Sequence, residues 1–168
     1  MKEITKTIKV YDFEELSQEA KDKARESFNQ DEDYPFLQDD LREYIHEELT
    51  ERGYTHDELT PMYSLSYCQG DGLMFEGVVY DKDGNSYEIK QSGHYYHEKS
   101  YNMVVLDEEG ERLDSHEHKF EAIYEKICKV VRDKGYEYIE HMQSEDSFVE
   151  MCEANEYNFL SNGTMVNE

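Results

Sequence analysis

Between residues 62 and 107 apolar side chains recur at about every second position, and this pattern narrows the fold more than any other feature of the chain. The segments are MYSLSYC (62–68), LMFEGVVYD (73–81), SYEIKQ (86–91) and YNMVVLD (101–107). A period of two puts alternate side chains on opposite faces, so each segment predicts a half-buried strand. Gln69-Gly70-Asp71-Gly72, Lys82-Asp83-Gly84-Asn85 and the longer Ser92–Ser100 stretch separate them. Asp-Gly between two such runs is a strong hairpin signal. Residues 4–10, ITKTIKV, alternate in the same way and predict a further strand. The expectation is an antiparallel sheet of about five strands, with several strand orders compatible with the loop lengths.

On either side the period lengthens to that of a helix. Asp12-x-x-Glu15 has the form of a capping box, Ser17 offers a second N-cap, and Leu16, Ala20, Ala24 and Phe28 recur at i+4. The Asn29–Asp33 run ends this helix. A second is predicted from Pro35 to a C-cap at Gly53, with Leu37, Leu41, Tyr44, Ile45 and Leu49 on its apolar face. A third, capped by Ser115, carries Phe120, Ile123, Tyr124, Ile127, Val130 and Val131, with Gly135 expected to interrupt it. Ser144 caps a last helix bearing Phe148, Met151 and Cys152, and Ser161-Asn162-Gly163 predicts a turn. Helices segregated from an antiparallel sheet make an α+β fold, with the helices covering one face. At 168 residues the expectation is a single domain spanning 1–168.

Composition then restricts function. The chain carries 17 Lys+Arg against 41 Asp+Glu, a formal net charge of −24. Mean hydropathy is −0.98, yet 15 Tyr and 7 Phe with only 2 Pro describe a chain able to build a core. Such a charge opposes direct binding to nucleic acid or to an anionic membrane, because each approach to phosphate is repulsive. Partners are therefore expected to be basic or metallic. No stretch has the length of a membrane span and MKEITKTIKV lacks the apolar core of a signal peptide, so a cytoplasmic location is expected. Cys68, Cys128 and Cys152, an odd number without a C-x-x-C, are read as reduced thiols.

Four of the seven histidines fall close together, His94 and His97 in G-H-Y-Y-H-E, His116 and His118 in D-S-H-E-H. Two imidazoles in a bend and two on one side of an extended segment can converge on a tetrahedral zinc, with Asp71, Glu98, Asp114 or Cys68 as a further ligand. The competing reading makes the same histidines sheet and helix-start residues. Gln69–Gly72 has neither the lysine nor the following helix of a phosphate-binding loop, and Asp81-x-Asp83-Gly84-Asn85 lacks the closing glutamate of a calcium loop. Both are read as turns. No nucleophile elbow is present. The most acidic stretch is 31–60, with eleven acids and two arginines. Asp39, Asp40, Glu43, Glu47 and Glu48 are its candidate partner-binding residues.

One order of motifs extends over nearly the whole chain. Tyr11-Asp12-Phe13-Glu14-Glu15-Leu16-Ser17 is followed by Ser66-Tyr67-Cys68-Gln69-Gly70-Asp71-Gly72, then Gly93-His94-Tyr95-Tyr96-His97-Glu98, then Ser144-Glu145-Asp146 and Asn155-Glu156-Tyr157-Asn158-Phe159. It resembles a family of small acidic proteins encoded by bacteriophages and prophages, whose members usually carry S-Q-G-D-G where this chain has Cys68. By analogy with acidic prophage-encoded anti-CRISPR inhibitors, the resemblance implies a non-catalytic protein. Such a protein binds a basic surface of a type II CRISPR effector (Cas9) in the bacterial host and blocks guide or target DNA loading. A zinc held by His94, His97, His116, His118 and Asp71 would then be structural. The alternatives are a metal-dependent hydrolase or nuclease built on Asp71, His94, His97 and Glu98, and an antitoxin that neutralises a basic toxin.

Overall fold

The computed structural model describes residues 7–29, 34–113 and 117–166, without the side chains of residues 29, 117 and 118. In chain order the elements are a short 3-10 turn (Phe13–Glu15), α1 (Gln18–Asn29), α2 (Leu37–Glu51), β1 (Thr55–His56), β2 (Thr60–Ser64), β3 (Gly72–Tyr80), β4 (Ser86–Gln91), β5 (Tyr101–Leu106), α3 (Glu117–Met142), α4 (Glu145–Ala154), β6 (Asn158–Phe159) and β7 (Met165–Val166). The fold is α+β, with four helices and an antiparallel sheet of five strands. The chain divides into two compact units, one of residues 35–138 and one of residues 1–34 with 139–168.

The larger unit holds the five-stranded sheet. Its order is β1-β3-β4-β5, with β2 also paired to β3. The register sets Val79 opposite Tyr87 and Tyr87 opposite Val105, which lines these side chains up on one face. All three are buried, as are Ile89 and Met103. Helix α3 brings its apolar stripe to this face, with the Phe120 ring 4.3 Å from Tyr87 and the Tyr124 ring 4.5 Å from Tyr101. Phe75 lies opposite Pro61, which has no N–H, and beyond the β3–β4 pairing that runs from Gly77 to Tyr80. The Tyr124 hydroxyl substitutes for a strand there, accepting from Phe75 N at 3.1 Å and donating to Phe75 O at 2.9 Å.

Helix α2 buries Leu37, Leu41, Ile45 and Leu49, each 2% exposed or less. These are the i, i+4 positions of its sequence pattern, and Gly53 at φ +81° follows its C-cap. Helix α3 does not break at Gly135. A Cβ there would come within 2.7 Å of Leu65 Cδ1 and 3.1 Å of Leu41 Cδ2, so glycine is the residue that lets those leucines close on the helix. The low helix propensity of glycine predicts an interruption, and local packing overrides it. Ser115, the predicted cap, lies outside the described residues.

In the smaller unit Phe13, Leu16, Ala20, Ala24, Phe148, Cys152 and Phe159 form the core, with the Phe13 and Phe148 rings edge-on at 4.9 Å. The capping box at Asp12 and Glu15 opens a 3-10 turn rather than the long helix. The helix α1 starts after Ser17, whose Oγ accepts from Ala20 N at 3.4 Å. Ser144 caps α4 by accepting from Ser147 N at 3.2 Å. The N-terminal segment is not a strand of the five-stranded sheet over the described residues 7–10, where Ile8 and Val10 are exposed. Tyr11 instead makes a two-way backbone bridge with Phe159, each N–H to O at 2.9 Å. Thr55–His56 takes its place in the larger sheet, because alternation marks a strand without naming its partner.

Candidate functional site

The two motifs singled out at the loops pack against each other at one end of the sheet. Residues 65–71 leave β2 earlier than the sequence pattern implies and are gathered around one side chain. Asp71 Oδ1 accepts from Ser64 Oγ at 3.0 Å and Cys68 Sγ at 3.2 Å. Its Oδ2 accepts from Ser66 N at 2.7 Å, Cys68 N at 3.1 Å and Tyr136 Oη at 2.7 Å. Partial desolvation pushes the carboxyl up, but the bonds from Tyr136, Cys68 and Ser64 outweigh it and hold Asp71 well below the usual carboxylate range. By the same contact, after a larger effect of burial, the Tyr136 phenol is pushed up to about 12. Cys68 is exposed, and its hydrogen bond to Asp71 raises its pKa, so it is held as a thiol rather than activated as a nucleophile.

The second loop, Ser92–Ser100, is closed by Ser92 N donating to Ser100 O at 2.8 Å. It seats on the first through Gly72, where a Cβ would meet Tyr96 O at 2.7 Å and His97 Nδ1 at 3.0 Å. Gly70, at φ +108°, faces the Tyr95 ring. Asp71 and the histidine bend are thus neighbours, as the sequence pattern suggested. Even so, Asp71, His94 and His97 do not converge, and among the described residues no group of three or more His, Cys, Asp or Glu is placed to hold a metal ion. The Asp71 oxygens already accept five bonds, and His94 is exposed at the loop tip. His116 lies outside the described residues, as does the side chain of His118. Asp71 acts there as a loop fastener.

The partner-binding candidates lie on α2 and are not equivalent. Asp39, Glu43 and Glu47 are exposed and stand at i, i+4 and i+8; Glu51, also exposed, extends the row by one more turn. The sequence reading missed Glu51, although the same i+4 spacing points to it. Glu48 is turned toward Arg52 at 2.7 Å with only 13% of its side chain exposed, and Asp40 is half-buried. Asp39 pairs with Arg42 at 2.8 Å and Glu47 with Lys134 at 3.4 Å, the latter ammonium also lying 4.6 Å from the centre of the Tyr44 ring.

A second pair of imidazoles escaped the sequence reading because its members stand ten residues apart with no recognisable spacing. His46 on α2 and His56 on β1 approach with Nδ1 of the first 2.8 Å from Nε2 of the second. His56 Nδ1 lies 2.6 Å from the carbonyl oxygen of Asp57. Only pairing of β1 with β3, His56 opposite Val79, sets this meeting.

Among the described residues no helix is long and apolar enough to cross a membrane. No protein-family model, curated protein or solved structure matches the chain.

Proposed function

We propose that the chain is a phage-encoded protein that inhibits a nucleic-acid-handling enzyme by occupying its basic surface, with a type II CRISPR effector (Cas9) as the target. The observation that supports this reading is the acidic row of α2. Asp39, Glu43, Glu47 and Glu51 succeed one another about 6 Å apart along the helix axis. The opposite side of the same helix is anchored by fully buried Leu41, Ile45 and Leu49, so the row is held on a rigid element. A channel that takes up nucleic acid presents cations to a line of phosphates, and a line of carboxylates is a substitute for that charge pattern. Like charges at i, i+4 destabilise a helix by about 0.2–0.5 kcal/mol per pair, and Arg42 and Lys134 relieve only part of this row. The inhibitor acts in the bacterial cytoplasm by binding and needs no catalysis.

The test is binding of the full chain to purified Cas9, with and without guide RNA, alongside plasmid cleavage. The parent protein is expected to bind and to suppress cleavage. Charge reversal at Asp39, Glu43, Glu47 and Glu51 to Lys weakens binding at least about tenfold, chiefly through slower association. Affinity that is unchanged by the four reversals sinks the surface assignment, and absence of binding to either form of the effector sinks the target.

A further inference from the structure

We infer that a groove in the smaller unit, between the 3-10 turn and α4, is a binding site for a linear aliphatic polyamine, a chain of methylenes interrupted by ammonium groups. The inference does not depend on the functional reading above.

The local sequence builds the groove. Val149, Cys152 and Glu153 stand at i, i+3 and i+4 and so share one face of α4. The helix ends at Ala154 and the chain folds back at once, with Tyr157 N donating to Cys152 O at 2.9 Å. Glu156 makes that reversal at φ +53°, left-handed backbone that glycine adopts without a side-chain penalty. Tyr11 and Phe159 then exchange backbone bonds of 2.9 Å, which brings residues 12–14 alongside residues 156–158. The cavity between them measures about 330 Å³, at the small end of the range of about 300–1,000 Å³ for small-molecule sites.

Two kinds of chemistry line it. Phe13, Val149, Cys152 and Tyr157 supply an apolar floor, with Phe13 and Cys152 only 3% and 4% exposed. Burial pushes the Cys152 thiol up to about 11, so the floor carries no charge. Asp12, Glu14, Glu153 and Glu156 border the same cavity as exposed carboxylates. No Lys or Arg lines it, and among the described residues no ion pair takes up any of the four. Lys21 lies 5.3 Å from the centre of the Phe13 ring without reaching the cavity.

This arrangement selects the shape of the cation. Among the described residues no three His, Cys, Asp or Glu gather around one position, so the lining does not match a metal ion. Carboxylates set apart across an apolar floor match a ligand whose charges are themselves set apart by methylenes. Each ammonium then meets a carboxylate, the methylenes cover Val149 and Cys152, and an ammonium over the Tyr157 ring gains a cation–π contact. The net charge of −24 draws polycations to the whole surface. The apolar floor is what distinguishes this cavity from the rest of it.

The experiment is calorimetric titration of the full chain with spermidine at an ionic strength of about 0.15 M, where attraction between exposed charges is screened beyond about 8 Å. One saturable site per chain is expected, and MgCl₂ should not compete for it. Butylamine, with a single ammonium, should bind at least about tenfold more weakly, since each exposed ion pair contributes up to about fivefold. Glu156→Gly suits the left-handed turn, so it should leave the urea midpoint unchanged or raised while weakening spermidine binding by about two- to fivefold. Glu14→Gln/Glu153→Gln/Glu156→Gly should weaken it at least about tenfold; Asp12 is kept because it belongs to the capping box of the turn. Asp83→Asn/Glu109→Gln/Glu111→Gln, which removes the same charge from exposed positions of the larger unit, should bind as the parent does. In the parent, nuclear Overhauser contacts from the spermidine methylenes should reach the Val149 methyls and the Tyr157 ring, a readout that needs no variant to fold. No saturable binding, equal loss in the two triple variants, butylamine bound as tightly as spermidine, or methylene contacts centred elsewhere overturns the assignment.

Discussion

At the scale of single residues, three of the carboxylates of this chain act inward, each fastening one of its own loops. Asp71 gathers five donors, Asp81 accepts from Asp83 N, Asn85 N, Asn85 Nδ2 and Tyr87 Oη, and Asp107 accepts from Glu109 N and Glu111 N. A carboxylate that collects backbone N–H groups is the strong form of a turn fastener. Asp71 predicts a pH dependence with a definite sign. Its folded pKa is depressed, so the stability it contributes is fully present above the unfolded carboxylate value near pH 4 and is lost as pH falls from there toward the depressed one. Asp71→Asn should cost on the order of 1–2 kcal/mol at neutral pH, the worth of one or two net hydrogen bonds at a partly solvated site. Urea unfolding at pH 7 and at pH 3 should show the gap between variant and parent narrowing at the lower pH; a constant gap refutes the role. The turn at Asp71 was legible from Gly70 and Gly72. Its tie to Tyr136, sixty-five residues away, was not, because no local pattern records a side-chain contact at that separation.

At the scale of elements, the strands and helices follow their periodicities closely where one face is buried and depart from them where it is not. β4 alternates as its sequence does, with Tyr87 and Ile89 buried and Glu88 and Lys90 outward. ITKTIKV alternates as well, yet residues 7–10 form no strand, since periodicity describes a face that could be buried and not the surface that buries it. Helix α3 is bound to the sheet by Tyr124, whose hydroxyl takes the place of a missing strand at Phe75. Tyr124→Phe leaves that buried peptide N–H and C=O without a partner and should destabilise the protein by about 1–3 kcal/mol. The expected signature is a lower urea midpoint with an unchanged m value. An unaltered midpoint would mean that the pairing contributes nothing.

At the scale of the whole molecule, a net charge of −24 sets two opposite responses to salt. Self-repulsion among the carboxylates is screened within about 10 Å at 0.1 M salt, so raising NaCl from low to moderate concentration should lift the thermal midpoint by about 2–4 °C per kcal/mol relieved. Attraction to a basic partner should weaken over the same range. A midpoint indifferent to salt would show that the charges are too dispersed to strain the fold. The charge, the α+β class, the four later strands of the sheet, the cap at Ser144 and the buried face of α2 were all determined by the chain on its own terms, because they depend on composition or on spacings within a few residues. Tertiary structure alone decided that Thr55–His56 supplies the fifth strand, that α3 runs unbroken through Gly135, and that His46 meets His56. Each of these is a relation between segments brought together only when the larger unit packs, and the hydrophobic periodicity that forms the segments does not encode which neighbour each will find.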